Sequence, residues 1–184
     1  MLERAQALQL VSEAVSSRNL VKHMLAVEAV MRALAGRLGE DPDRWGITGL
    51  VHDVDYERTE SDPDAHSLVG GDLLAGLGFE AEIVQAVKAH NERHGLPRAT
   101  RLAKGLFAAD PVTGLIVAAA LVHPAKRLAP LDVAFIMHRF GEKSFARGAN
   151  REQLKTCSEL GLSLEEFVGL SLEAMQGISR ELEL

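Results

Sequence analysis

Cysteine is almost missing: Cys157 stands alone in 184 residues. No intrachain disulfide and no thiolate metal cage can form from one thiol, and a reducing, cytoplasmic setting is the expectation. Aromatics are scarce at 4%, while hydrophobic residues reach 47%. Ala, Leu and Val carry that content, which favours close helix packing over a sheet. Long apolar runs are missing too. The longest, Gly114 to Val122, is below the ~18 residues needed to span a bilayer, so no membrane association is expected. Met1-Leu2-Glu3-Arg4 lacks a basic segment ahead of an apolar one, so no signal peptide is expected. The net charge is −6 with no basic block, which argues against general nucleic-acid backbone binding but leaves room for a small basic pocket. Neither a phosphate-cradling Gly-x-x-x-x-Gly-Lys nor a dinucleotide Gly-x-Gly-x-x-Gly occurs. Ser67 lacks the Gly-x-Ser-x-Gly setting of a serine hydrolase.

What is present reads as one helical domain over 1–184, without repeats or a linker. Residues 3–16 repeat Leu8, Val11 and Val15 at helical spacing. Asn19 serves as cap for a helix over about 20–38, in which Met24, Val27, Val30, Met31 and Leu34 form a stripe with His23 beside it. Gly39 stops it. Asp41-Pro42 opens the next helix, which buries Trp45, Leu50 and Val51 and ends at His52-Asp53. Residues 54–63 read as a polar loop. Asp62 or Asp64 caps a helix over 65–76 with His66 in its first turn, and Gly70-Gly71 within it implies close approach by another helix. Glu80 to Asn91 is helical with His90 at its end. Thr100 to Ala109 delivers Asp110 just before Pro111. The apolar stretch 113–122 then reads as a separate buried helix, since no partner strand is in sight. Leu131–Phe140, about 150–159, and 164–183 complete the set, with Ser163 as the last N-cap.

His23, His52-Asp53, His66, His90 and Asp110 thus each sit on or beside a helix. Imidazole and carboxylate together suit a divalent ion of intermediate hardness. For each one alone the ordinary reading is plainer: a hydrogen-bonded core histidine, a turn aspartate or a surface residue. His90-x-x-x-His94 with Glu92 imitates a zinc helix, but Gly95 and Pro97 end the helix too early. Cys157 reads as a buried thiol. His123 and His138 read as structural or surface residues.

The order His, His-Asp, His, His, Asp resembles the HD superfamily of metal-dependent phosphohydrolases over residues 18–114. The resemblance implies an all-α multi-helix HD bundle, with additional C-terminal helices over about 130–184. It implies His23, His52, Asp53 and Asp110 as ligands of a divalent ion (Mn, Fe, Ni, Co, Zn or Mg). It implies His66 and His90 as ligands of a second ion or contacts to substrate phosphate. Two departures stand out: Asn91 takes the place of a second consecutive His, and Val54-Asp55-Tyr56 replaces the common Ile-Gly-Lys. The phosphate-binding cation then falls to another residue. Lys22 and Lys104 are preferred over Arg18, Arg58 and Arg93. Asp53, Asp55 and Lys104 are the expected catalytic residues, with Glu57 as a further proton relay.

Lys143-Ser144-Phe145-Ala146-Arg147-Gly148, Arg151, Cys157 and Glu165-Glu166-Phe167 are similar to a group of small bacterial HD proteins. The expected activity is hydrolysis, by metal-activated water, of a phosphomonoester or phosphodiester of a nucleotide or related small metabolite. The expected partners are that small molecule and, at most, a second copy of the chain. The rivals are a non-catalytic nucleotide-sensing module of the same fold and a di-iron oxygenase.

Overall fold

The computed structural model describes residues 3–142 and 144–184. Met1, Leu2 and Lys143, which the leader and tail readings used, lie outside the described residues. Among the described residues the chain is helical with no strand.

Helix α1 (Arg4–Ala14) packs on α3 (Pro42–Val51), and α2 (Arg18–Leu38) packs along α3. Ser17, not Asn19, caps α2, accepting from Leu20 N. The cap sits two residues earlier because Leu20 already belongs to the first turn. Gly39 ends α2 in the left-handed region at φ 72°. Asp41 caps α3, accepting from the amides of Asp43 and Arg44. Where α2 and α3 cross, a Cβ on Gly49 would stand 2.8 Å from Val27 O. Only glycine lets the two backbones approach that closely.

The polar loop contains a short turn, α4 (Tyr56–Thr59), with Asp55 and Thr59 buried. Helix α5 (Leu68–Gly76) begins later than the sequence suggests. Its N-cap is Ser67, at φ 69° and without a side-chain cap bond. His66 therefore lies in the turn ahead of the helix. The glycine pair is crowded by side chains, not by a helix backbone. A Cβ on Gly70 would meet the Asp55 carboxylate at 2.9 Å, and one on Gly71 would meet the Lys88 stem.

Helix α6 (Ala81–His90) leads through a 3₁₀ turn to α7 (Arg101–Val122). Here the sequence reading is corrected: α7 is one helix of 22 residues with Pro111 inside it. Proline removes the amide that would bond Phe107 O. Gln153 Nε2 supplies the replacement, donating to Phe107 O at 2.8 Å. Gln153→Ala leaves that buried carbonyl unpaired. It is expected to cost about 1–2 kcal/mol, roughly 3–7 °C in Tm for a chain of this size, checked by thermal melting.

By length and composition alone, α7 is long and apolar enough to cross a membrane, a property hidden when it is split at Pro111. Most of it is buried in the chain's own core, against α2 and α6. It also carries Asp110 to the site. Helices α8 (Val133–Gly141), α9 (Arg151–Lys155) and α10 (Leu164–Gly177) complete the bundle, and the last predicted helix breaks at Ile178 before α11 (Ser179–Leu182). Cys157 is buried, and burial pushes its thiol pKa up.

Candidate metal centre

Six polar side chains from α2, the α3 end, the turn before α5, α6 and α7 meet at one point. Their rear contacts decide how they face it. His52 Nδ1–H donates to Gly49 O at 2.8 Å and His90 Nδ1–H donates to Val87 O at 2.6 Å. Carbonyls only accept, so both rings carry the proton on Nδ1 and present a bare Nε2. Thr113 Oγ1 donates to Asp110 O at 2.9 Å, which leaves its lone pair to accept from His23 Nδ1 at 3.1 Å. Asp55 Oδ1 accepts from His66 Nδ1 at 3.2 Å. All four Nε2 atoms therefore point inward.

They face one another and two carboxylates. His23 Nε2 lies 3.2 Å from His52 Nε2, 3.2 Å from Asp110 Oδ1 and 3.6 Å from Asp53 Oδ2. His52 Nε2 is 3.4 Å from Asp53 Oδ2 and 4.0 Å from Asp110 Oδ1. The other oxygen, Asp53 Oδ1, is 3.4 Å from His66 Nε2 and 3.3 Å from His90 Nε2. Asp53 thus divides the cluster in two, one oxygen toward each half. Adjacent donors on one ion, at bond lengths of about 2.1 Å, stand roughly 3–3.5 Å apart. Lone pairs at these separations repel unless a cation or protons lie between them. The residues fit a divalent ion: His23, His52 and Asp110 lie close enough to share one, as do His52, Asp53 and His90, and His66 approaches Asp53 Oδ1 beside His90.

Without an ion, protons take that role. Burial pushes the His52 pKa down to about 4, with Asp53 opposing. Burial also lowers the His90 pKa, but the hydrogen bond and charge of Asp53 outweigh it and raise it to about 9. His23 is raised by Asp110 and Asp53 against its burial. Burial would raise the Asp53 carboxyl, yet His52 and His90 hold it well below the usual range. The sign follows for His90. Its folded pKa lies above the unfolded value, so its contribution to stability is complete below about 6.5 and lost as pH rises through about 9. An ion must displace that proton. Metal affinity is therefore expected to rise about tenfold per pH unit from pH 7 toward 9 and then flatten. The metal-free chain is expected to lose stability over the same range while the loaded chain does not. Calorimetric titration and melting across pH check both.

The remaining predicted residues fall elsewhere. Asp55 is not open to the cleft. It is buried, accepting from the amides of Ser67 (2.9 Å) and Gly70 (2.8 Å) as well as from His66. Its carboxylate is turned to those amides and to His66, away from the cleft. In Asp55→Asn the carbonyl oxygen can still serve both amides at the Oδ2 position, but the new NH2 then faces His66 Nδ1–H, and a tenfold to hundredfold loss of affinity at the His66–His90 half is expected by metal titration. Lys104 is not at the site: six residues before Asp110 is about 240° around the helix, and its Nζ pairs with Glu159 at 3.2 Å. Glu57 is half-buried and accepts from the amides of Ser16 and Ser17. Lys22 lies beside His23 but pairs with Glu183 at 2.6 Å. Arg18 shares Glu183, and Arg93 pairs with Asp64. His94 Nε2 and Asn91 Nδ2 both donate to His66 O, at 2.7 and 3.2 Å, so Asn91 braces the turn rather than binding an ion. His123 accepts from the Ala125 amide and His138 lies beside Glu142. Thr113 was missed because its place one turn after Asp110 shows only if α7 continues through Pro111. Leu20 and Tyr56, at the mouth of the cleft, carry no signal in the sequence.

The family model described as HD domain matches residues 20–115, just over half the chain. The chain belongs to the HD-domain family. Ribonuclease Y of Nitratidesulfovibrio vulgaris is 33% identical over 98 residues, 53% of this chain and 18% of that protein. Ribonuclease Y of Oleidesulfovibrio alaskensis is 31% identical over the same shares. Ribonuclease Y of Protochlamydia amoebophila is 28% identical over 138 residues, 73% of this chain and 26% of that protein. The matches thus span only 18% to 26% of the length of these relatives. HD domains bind divalent metals, and this one brings together His/Asp groups that could hold such an ion.

Proposed function

We propose that this HD domain hydrolyses a small phosphomonoester or phosphodiester at the His/Asp cluster, with two divalent ions flanking Asp53. The observation that carries the reading is the inward set of four Nε2 atoms and two carboxylates, each imidazole held from behind through its Nδ1. A divalent ion in such a set supplies a Lewis acid for a phosphoryl oxygen and lowers the pKa of water. The protein contributes position. His52 and His90 are held by backbone carbonyls, His23 by Thr113 and His66 by Asp55. Asp110, its side chain 30% exposed against 9% for Asp53, is the carboxylate with a face open to the cleft. It receives the proton released by the attacking water. Leu20 and Tyr56 at the mouth shield one side from bulk solvent. With Lys104 turned away, Lys22 is the nearest cation of the two the sequence favoured, released to substrate if Glu183 lets go.

The name of the relatives favours a diester, and RNA is the second reading. The net charge of −6 without a basic run weighs against a long polyanion. Turnover of p-nitrophenyl mono- and diesters and of a short RNA, with Mn²⁺, Co²⁺, Ni²⁺ and Mg²⁺, tests the reading. The expected result is metal-dependent hydrolysis of at least one small ester. No turnover with any ion, together with nucleotide-dependent thermal shifts, would support a sensing module instead.

A further inference from the structure

A cavity of about 460 Å³ adjoins the cluster, and His23 lines both. It is a trough between two helix stripes. Along α7, Asp110, Thr113, Gly114, Val117 and Leu121 recur at three, four, seven and eleven residues, which puts them on one face. The run from Asp110 to Leu121 is about 16 Å long. Opposite it on α2, Ala26 sits one turn beyond Lys22 and His23. Leu182 and Leu184 close the third side, held there by Glu183, which pairs with both Lys22 and Arg18. Away from His23, Lys22 and Glu183 at its inner end the walls are mostly aliphatic, and among the described residues no Phe, Tyr or Trp lines them for base stacking. Leu121 is 53% exposed at the outer end. A Cβ on Gly114 would meet nothing within 4 Å. The glycine thus keeps the floor open, although alanine would suit the helix better.

We propose that the trough seats an aliphatic chain attached to the phosphate, so that the substrate class is an alkyl or acyl phosphoester rather than a nucleotide. The proposal rests on the phosphohydrolase reading, which places phosphate beside His23 and Asp110. The chain then runs outward over Gly114 and Val117 toward Leu121. Lys22, at the rim, exchanges Glu183 for a phosphoryl oxygen.

The test uses the metal-loaded protein with methyl- and octylphosphonate as binding probes, and with methyl and octyl p-nitrophenyl phosphodiesters as substrates. The octyl probe is expected to bind at least about a hundredfold more tightly, the effect of burying three or four methylenes at about fourfold each. In Gly114→Leu, which fills the floor, that ratio is expected to collapse toward one while metal content is kept. Equal affinities in the wild type, or a preference that Gly114→Leu leaves intact, would overturn the trough. A chain-length preference in binding with no turnover of either diester or of the corresponding p-nitrophenyl monoester under any ion would leave the trough standing and remove the hydrolase reading. Equal turnover of both diesters would do the reverse.

Discussion

Asp53→Ala is expected to strip metal from both donor sets at once and to lower phosphoester turnover at least about a thousandfold. The reason is the division of its oxygens: Oδ2 faces His23 and His52, while Oδ1 faces His66 and His90. Its two oxygens face different histidine pairs, and His52 is the other side chain shared between the two donor groups. A bound ion contributes several kcal/mol of charge stabilisation in the transition state, and each 1.36 kcal/mol is tenfold in rate. Losing both sets therefore exceeds the loss of any one histidine. Asp53→Ala also removes the charge that raises His90, so the variant is expected to lose the stability change between pH 6.5 and 9. Elemental analysis of the purified variant, initial rates and melting at two pH values check the three parts together. Retained metal with lost activity would assign Asp53 a different role.

The second large effect is expected far from solvent. Gly49→Ala is predicted to destabilise the fold by about 1–3 kcal/mol or more, the usual cost of overpacking, or roughly 4–10 °C in Tm. Its new Cβ would meet Val27 O at 2.8 Å and Val27 C at 2.9 Å. These are backbone atoms of α2 and cannot rotate aside as a side chain can. The same glycine's carbonyl holds His52 Nδ1. Separating α2 from α3 therefore moves His52 relative to His23, and metal affinity falls along with stability. Gly114→Ala, which meets nothing, is the control: it is expected to hold or slightly raise Tm. Thermal melting and metal titration of both variants separate crowding from the general effect of losing a glycine.

Much of the site was legible because its residues carry chemistry and order. His23, His52, Asp53, His66, His90 and Asp110 are the only ordered set of donors in a chain with one cysteine, and the structure brings them together. The helices were legible where apolar spacing and caps agree, as in α2, α3 and α10. Three things were not legible, each for a physical reason. Pro111 looked like a terminator because the sequence does not show Gln153 arriving to serve Phe107 O. Asp55 looked catalytic because it follows the His-Asp pair, but two amides in α5 and its approach turn claim its carboxylate. Lys104 looked close to Asp110 along the chain, but the helical turn carries it to the opposite side. Each miss depends on a contact between distant segments, which local pattern does not encode.

The account rests on Asp53 standing between two ions. The most direct measurement is anomalous diffraction from a crystal grown with Mn²⁺, combined with metal content per chain. The expected result is two peaks, one among His23, His52 and Asp110 and the other beside His66 and His90, with Asp53 between them. A crystal saturated with metal that shows no peak at the cluster, with the four Nε2 atoms joined instead through water or protons, would contradict it.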